Sequence, residues 1–383
     1  MRDAVIVIAK RTPIGKIGGQ FNTLEPEKLL APLIRDILQE TQVPRHLIDD
    51  VIIGNVVGPG GNIARLSALE ADLPVTVPGM TIDRQCGSGL EAINIAMRMV
   101  QSGAGEIYLA GGVESTSRAP WKMKKPLSLN GMPEPYSRAP FTPLSYGDPD
   151  MGIAAENVAQ KYIISREEQD EYALLSHQKA IQSIHTGRFQ KEIVPLEVDG
   201  KSISMDECPR ANTSLEKLQQ LSPVFLKEGT VTAGNACPLN DGAALLLIMS
   251  LDKCRELHLK PILKLVDAKA AGVDPNYLGI GPVPAVQKLL TQVNMSINDV
   301  DVIEFNEAFA SQVLASVKEL RIPIEKVNRG GGAIALGHPY GASGAILMTR
   351  LCSEMLIEPY KIGMATLGIG GGMGIATLVE AIE

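Results

Sequence analysis

The chain has 383 residues, enough to bury a large core and to build two domains or a fused pair. Hydrophobic residues make up 45% and charged residues 21%, a soluble globular balance, and a formal charge of −7 argues against a nucleic-acid binder. Five cysteines, at 86, 208, 237, 254 and 352, are too few and too scattered for a disulfide framework or a CxxC metal site, so a reducing cytoplasm and no metal are expected.

The pattern predicts a first strand at residues 4–9, too short in its apolar part for a signal peptide. A Pro/Gly loop follows, then a helix at about 26–41, a strand at 51–57 and a helix near 62–71. Next comes Asp83-Arg-Gln-Cys86-Gly-Ser-Gly-Leu-Glu-Ala92. Small residues and then a helical apolar pattern follow Cys86, so it is expected to open a helix. Backbone N–H groups and the positive dipole end there favour a thiolate. The alternative is a buried structural cysteine. A strand at 107–110 ends at Gly111-Gly112. This alternation predicts an α/β chain with a mixed or parallel sheet and helices on its faces.

Residues 118–149 hold seven prolines and the only tryptophan, Trp121, so an ordered excursion or lid without strand or helix is expected there. Helices resume at 152–163 and 165–186, the second opened by the capping box Ser165-Arg-Glu-Glu168. Residues 118–243 read as an insertion. The strongest apolar run, 243–249, is far short of a membrane span and suits a buried strand.

After the insertion the opening pattern returns. Residues 262–268 resemble the first strand, and Asp50-Val-Ile-Ile-Gly-Asn55 is echoed by Asp301-Val-Ile-Glu-Phe-Asn306. Cys86-Gly-Ser-Gly before a helix is echoed by His338-Pro-Tyr-Gly-Ala-Ser-Gly344, and Gly111-Gly112 by Gly370-Gly-Gly372. Asn55 precedes Cys86 by 31 residues and Asn306 precedes His338 by 32. Two duplicated halves packed together would bring Cys86 and His338 to one central site. Of the five histidines, only His338 has glycines on both sides and a helix just after it. An imidazole near a thiol can take its proton and later stabilise charge. Asn306 follows a strand and suits either a site position or a helix cap.

With these motifs in view the chain resembles the thiolase family, which condenses or cleaves acyl-coenzyme A thioesters. The likeness runs almost end to end: Ala9-Lys-Arg-Thr-Pro-Ile-Gly15, the Cys86 motif, Met151-Gly-Ile-Ala-Ala-Glu-Asn157, Gly229-Thr-Val-Thr-Ala-Gly-Asn235, Asn306-Glu-Ala-Phe309 and the long His338 motif. The resemblance implies two duplicated halves in a layered α-β-α-β-α core plus an inserted loop domain that binds coenzyme A. The halves would be residues 1–117 with 244–261, and 262–383; the insertion would be 118–243. It implies Cys86 as acyl-accepting nucleophile, His338 as its activator, and Asn306 holding an oxyanion-hole water. The N–H groups of Cys86 and Gly370 would form a second oxyanion hole. Arg210 matches the adenine-contacting arginine, while Met151 and Cys237 lie near the pantetheine path. The implied partners are acyl-CoA and coenzyme A as substrates rather than cofactors, and a second or fourth copy of the chain. Neither nucleic acid nor membrane is expected.

One departure stands out. Thiolases carry a second catalytic cysteine in a Cys-x-Gly-Gly-Gly run, and the matching run here is Gly368-Ile-Gly370-Gly-Gly372. The family's cysteine moves a proton at the α-carbon of the incoming acyl-CoA, and losing one positioned acid/base costs about 100- to 10,000-fold. Acyl transfer to Cys86 should survive this better than carbon–carbon bond formation. Two smaller departures are Cys237-Pro238, where the family has Ser-Gly, and Asp150, where it often has His. The remaining Cys86, His338 and Asn306 also match relatives that condense by decarboxylation. Thioester hydrolysis and a non-catalytic coenzyme A binder stay open as further readings.

Overall fold

The computed structural model describes residues 2–382. The first apolar run forms β1 (Ala4–Arg11), and β2 (Gly15–Lys16) follows the Thr12-Pro13 bend. Helix α1 (Pro26–Thr41) has the bounds its periodicity predicts, with proline in the first turn where no intrahelical donor is lost. β3 (Asp50–Gly54) stops short of the expected residue 57. The chain turns there because Glu114 accepts from the N–H groups of Val56 and Val57, and Asn55 Nδ2 donates to Val113 O. Next come α2 (Ile63–Glu70), β4 (Gly79–Ile82), α3 (Ser88–Ser102) and β5 (Ile107–Ser115). β5 runs through Gly111 and Gly112 instead of ending at them. Gly112 is required by packing, since a side chain there would strike the Gly341 backbone.

The proline-rich stretch contains a small hairpin, β6 (Lys122–Lys124) with β7 (Glu134–Tyr136), where no strand was expected. In a two-stranded ribbon both strands are edges, so Pro135 costs no interior ladder bond. Helix α4 (Met151–Tyr162) leads to α5 (Arg166–His185). The α5 capping box forms as expected: Glu168 N donates to Ser165 Oγ at 3.1 Å and Ser165 N to Glu168 Oε2 at 2.6 Å. β8 (Leu196–Val198), β9 (Lys201–Ile203) and α6 (Leu215–Gln219) finish this region.

The chain then re-enters the main sheet as β10 (Asn240–Ser250). α7 (Leu251–Glu256), β11 (Leu263–Gly272), α8 (Pro282–Gln292), β12 (Val302–Phe305) and α9 (Ala310–Leu320) follow. The last elements are α10 (Ala333–Leu336), α11 (Tyr340–Ile357), β13 (Ile362–Ile369) and β14 (Met373–Ala381).

The sheet order is β12-β13-β14-β11-β1-β10-β5-β3-β4, with β2 paired to β10. In each half a parallel pair, β3 with β5 or β12 with β13, joins an antiparallel pair. The halves meet where β1 pairs β11, from Ala4 opposite Leu265 to Ile6 opposite Leu263. This is the repeat read in the sequence, with one mismatch: Gly111-Gly112 lies inside a strand, whereas Gly370–Gly372 forms the β13–β14 turn.

Strand alternation assigns the layers. On β10, Ala244, Leu246 and Ile248 join Leu90 and Ile93 of α3 and Met348 and Leu351 of α11 in a central core. The intervening Leu245, Leu247 and Met249 face Leu30, Leu33 and Ile37 of α1. In the other half Ile303 and Phe305 pack with Val286 and Leu289 of α8 and Val313 of α9. Helices α3 and α11 therefore fill the middle layer between the two halves, with α1, α2, α8 and α9 outside. A buried ion network ties the inserted region to this core. Arg11 binds Glu192 and Asp206 at 2.7 Å each, and Arg350 binds Glu192 at 2.5 Å and Glu354.

Candidate active site

The parallel strands end on a common region, as ligand sites in such sheets do. β4 delivers Cys86, β12 delivers Asn306 and β13 delivers Gly370. Gln85, just before Cys86, sits at φ 46°, a left-handed conformation that is sterically costly for a residue with a Cβ. Local bonds hold this elbow: Gln85 N donates to Asp83 Oδ1 at 2.7 Å, Arg84 N to Ser88 Oγ at 2.8 Å, and Ser88 Oγ to Gln85 O at 2.6 Å. Cys86 thus stands one residue ahead of the helix cap Gly87, not inside α3.

The two central helices bring the echoed motifs together. A Cβ on Gly89, three residues after Cys86, would lie 2.7 Å from the carbonyl of Gly341, three residues after His338. The N–H groups of Gly370 and of Cys86 itself favour the Cys86 thiolate. Even so, the thiol pKa is pushed up to about 11, chiefly by burial, with Glu114 and Asp83 adding to it. This corrects the expectation of a lowered pKa: desolvation outweighs the two N–H groups.

His338 is buried, and its pKa falls to about 4 because burial disfavours the imidazolium. Its backbone N–H donates to Asn240 Oδ1 at 2.9 Å, and its ring Nδ1 lies 2.5 Å from Ser343 Oγ. Asn306 Nδ2 lies 3.5 Å from His338 Nδ1 and 3.4 Å from Nε2. The Asn306 loop is anchored by its neighbour Glu307, which accepts from Tyr172 Oη at 2.8 Å, Ser176 Oγ at 2.7 Å, Asn328 Nδ2 at 2.7 Å and Ile334 N at 3.1 Å.

Cys237 lies between these segments. Its N–H donates to Ala308 O at 3.0 Å, and Leu239 bridges to His338. Burial and the proximity of Cys86 push its thiol pKa up. Gly368 faces Gln312: a Cβ there would lie 3.3 Å from Gln312 Nε2 and 3.4 Å from Gly279 O. The excursion reaches the site through Phe141, whose ring would be 2.9 Å from a Cβ on Gly370. Arg138 stacks on Phe141 and binds Asp148 at 2.9 Å.

Met151 and Arg210 sit on the inserted region. Met151 begins α4, and the next residue, Gly152, lies against the Phe225 ring, which packs edge-on to Phe309 at 6.3 Å. Arg210 is exposed, and its N–H donates to His177 Nδ1 at 3.2 Å. A cleft of about 190 Å³ runs past Lys16, His177, Cys208, Arg210, Ala236 and Pro238, so Arg210 and the Cys237 segment border one opening. Cys254 and Cys352 are buried in helices. Among the described residues no group of three or more His, Cys, Asp or Glu is placed to hold a metal, and no helix is long and apolar enough to cross a membrane.

The sequence reading overlooked Ser343 and Asn240, which hold His338 from two sides, and Glu114. Ser343 lies inside the quoted His338 motif and Asn240 three residues past Cys237, so both were visible but had no partner until the chain folded.

Known proteins resemble this chain along nearly its whole length. Residues 4–252 match the family described as thiolase, N-terminal domain, and residues 259–381 match thiolase, C-terminal domain. A Staphylococcus epidermidis protein named "Putative acetyl-CoA C-acetyltransferase VraB" is 52% identical over 382 residues, 99% of each chain. A Staphylococcus aureus protein of the same name is 50% identical over 380 residues, again 99% of each. The crystal structure of the Bacillus anthracis acetyl-CoA acetyltransferase superposes with a TM-score of 0.93 at 41% identity, covering 100% of this chain and 99% of that one. With both thiolase domains matched in order and nearly the whole length shared with these relatives, the chain belongs to the thiolase family.

Proposed function

We propose that this protein is a thiolase-type acyl-CoA C-acyltransferase working through an acyl-Cys86 intermediate, with acetyl-CoA and acetoacetyl-CoA as default substrates. The observation that supports this reading is the α3–α11 contact, which packs the Cys86 motif at Gly89 against the His338 motif at Gly341, with Asn306 at the buried His338 ring and the N–H groups of Cys86 and Gly370 favouring the thiolate. The relatives' names support the choice of acetyl group. Because the thiol is held neutral, attack is coupled to proton transfer. Cys86 Sγ adds to the thioester carbonyl while its proton moves to His338 Nε2. The N–H groups of Cys86 and Gly370 receive the developing oxyanion, a contribution worth about 3–4 kcal/mol per donor in other enzymes. The coenzyme A sulfur then leaves with the proton from His338. In this reading the insertion 118–243 carries the coenzyme A contacts, Arg210 with the adenine and Met151 and Cys237 along the pantetheine.

Incubation with acetyl-CoA should add one acetyl group to Cys86, seen by peptide mass spectrometry, and Cys86→Ala should lose it while still binding coenzyme A. Absence of both the adduct and coenzyme-A-dependent acetoacetyl-CoA cleavage would sink the proposal. Turnover that persists in Cys86→Ala would point to other chemistry.

A second reading rests on Gly368, which has no side chain to remove an α-proton. Decarboxylation of a malonyl-type extender makes the carbanion without that base. Comparing malonyl-CoA with acetyl-CoA as second substrate separates the two; release of no CO₂ rejects the decarboxylative route.

A further inference from the structure

Ser343 touches His338 on one side and lines a small internal cavity on the other. The cavity measures about 20 Å³, and its polar walls are Glu304, Asn306, Ser343 and Arg350, all buried. Two of its wall residues carry orphaned atoms: Glu304 Oε1 and Arg350 Nε have no hydrogen-bond partner among the described residues. Both residues are only 1% exposed, so water outside the protein cannot satisfy them. The terminal nitrogens of Arg350 are already committed to Glu192 and Glu354. Leaving a buried polar atom unsatisfied costs about 1–3 kcal/mol. A cavity of this size with two to four polar partners is what one buried water requires.

We propose that this cavity holds one water that accepts from Arg350 Nε–H and Ser343 Oγ–H and donates to Glu304 Oε1, and that Glu304 thereby acts as a positioning residue for His338. The direction of the chain follows from the proposed role of His338 and from its far end. Nε2 must be bare to take the Cys86 proton, so Nδ1 carries the hydrogen and donates it to Ser343 Oγ, which leaves the serine hydroxyl hydrogen for the water. At the far end arginine only donates, and Glu304 Oε1 offers a lone pair to the water. The chain so ordered holds the Nδ1–H tautomer. No proton leaves along the chain: it moves from Cys86 Sγ to Nε2 and then to the departing sulfur, while the chain orients and polarises the ring. The groups facing Glu304 are Arg350 and Glu354 from α11, Glu192 before β8, Glu307 after β12, and Tyr172 and Lys179 from α5.

This rests on the proposed role of His338, so the tests are kept separate. High-resolution diffraction of the parent protein should find one ordered water within hydrogen-bond distance of Glu304, Arg350 and Ser343; a dry cavity overturns the proposal. Nitrogen-15 chemical shifts of His338 at neutral pH should report the Nδ1–H tautomer in the parent and in Glu304→Gln, and a mixture in Glu304→Leu. Alkylation of Cys86 by iodoacetamide should slow about tenfold in Glu304→Leu, equivalent to about one pKa unit, and stay near the parent rate in Glu304→Gln. Unchanged tautomer and rate in Glu304→Leu overturn the positioning role. If His338→Ala leaves alkylation unchanged, the reading of His338 as activator fails, while the water itself is still decided by diffraction.

Discussion

Cys86 shows how the balance of local forces sets reactivity. The helix start and two N–H groups favour a thiolate, but burial wins and holds the thiol near 11. Acylation is therefore expected to depend on His338 at every pH below that value, and His338→Ala should lower the rate of acetyl-Cys86 formation by about 100-fold or more, measured by quenched-flow mass spectrometry. At Gly368 a Cβ would meet no backbone atom closer than 3.4 Å. A Cβ there would press on Gln312 Nε2 at 3.3 Å, a side-chain end that can give by a few tenths of an ångström. Gly368→Cys is expected to fold and to raise acetoacetyl-CoA cleavage by about 100-fold or more; no gain would mean that another group already moves the α-proton.

Buried titratable residues also set the acid limb of stability. Burial lowers His177 and His338 from 6.5 to about 4. Their folded pKa lies below the unfolded one, so their contribution is complete above 6.5 and is lost as pH falls through 4. Glu114, raised by burial from 4.5 to about 7, has the opposite sign: its contribution is complete below 4.5 and is lost as pH rises through 7. Burial also raises Glu304, Asp36, Asp50 and Asp241, which share the sign of Glu114, and the histidines oppose them. In His177→Gln one opposing group is removed, so the unfolding free energy at about pH 4.5 relative to about pH 7.5 should rise over the parent by on the order of 1–2 kcal/mol, measured by urea denaturation.

At the scale of elements, the α3–α11 contact unites the site. Glycines make it possible: a Cβ on Gly89 would meet backbone atoms, Gly341 O at 2.7 Å and Ala345 N at 2.9 Å, and one on Gly344 would strike Leu90 N. At Gly87 the nearest obstacle is the tip of the Ile369 side chain, at 2.5 Å, with the Arg84 carbonyl next at 3.2 Å. Gly89→Ala should therefore lose about 1–3 kcal/mol of stability and most acylation. Gly87→Ala should cost less stability, because Ile369 can rotate; equal losses by urea denaturation would show that the helix crossing does not govern stability. Helix α1 was legible from its apolar stripe and the proline in its first turn, and α5 from its capping box. β5 was misread at Gly111-Gly112 because glycine signals a turn locally, while here it answers to α11 from the other half of the chain.

For the molecule as a whole, the excursion between β5 and α4 leaves Trp121, Leu127, Leu129 and Leu144 almost wholly exposed. The resemblance to thiolases implies further copies of the chain as partner, and these side chains are the apolar surface such a copy would cover. We expect an oligomer by sedimentation, converted by Leu127→Asp with Leu129→Asp to a smaller species; unchanged sedimentation would remove this surface from the interface.

What the sequence alone determined is the duplication, the family, the Cys86 motif and the absence of a side chain at residue 368. These are properties of residue order, and each motif lies within a few residues. What only the tertiary structure decided is everything that depends on burial or on groups far apart in the chain. The raised thiol pKa, the hold of Ser343 and Asn240 on His338, and the cavity between Glu304 and Arg350 arise when the two halves exclude water. Desolvation is set by the whole fold, and no local stretch of sequence carries its sign.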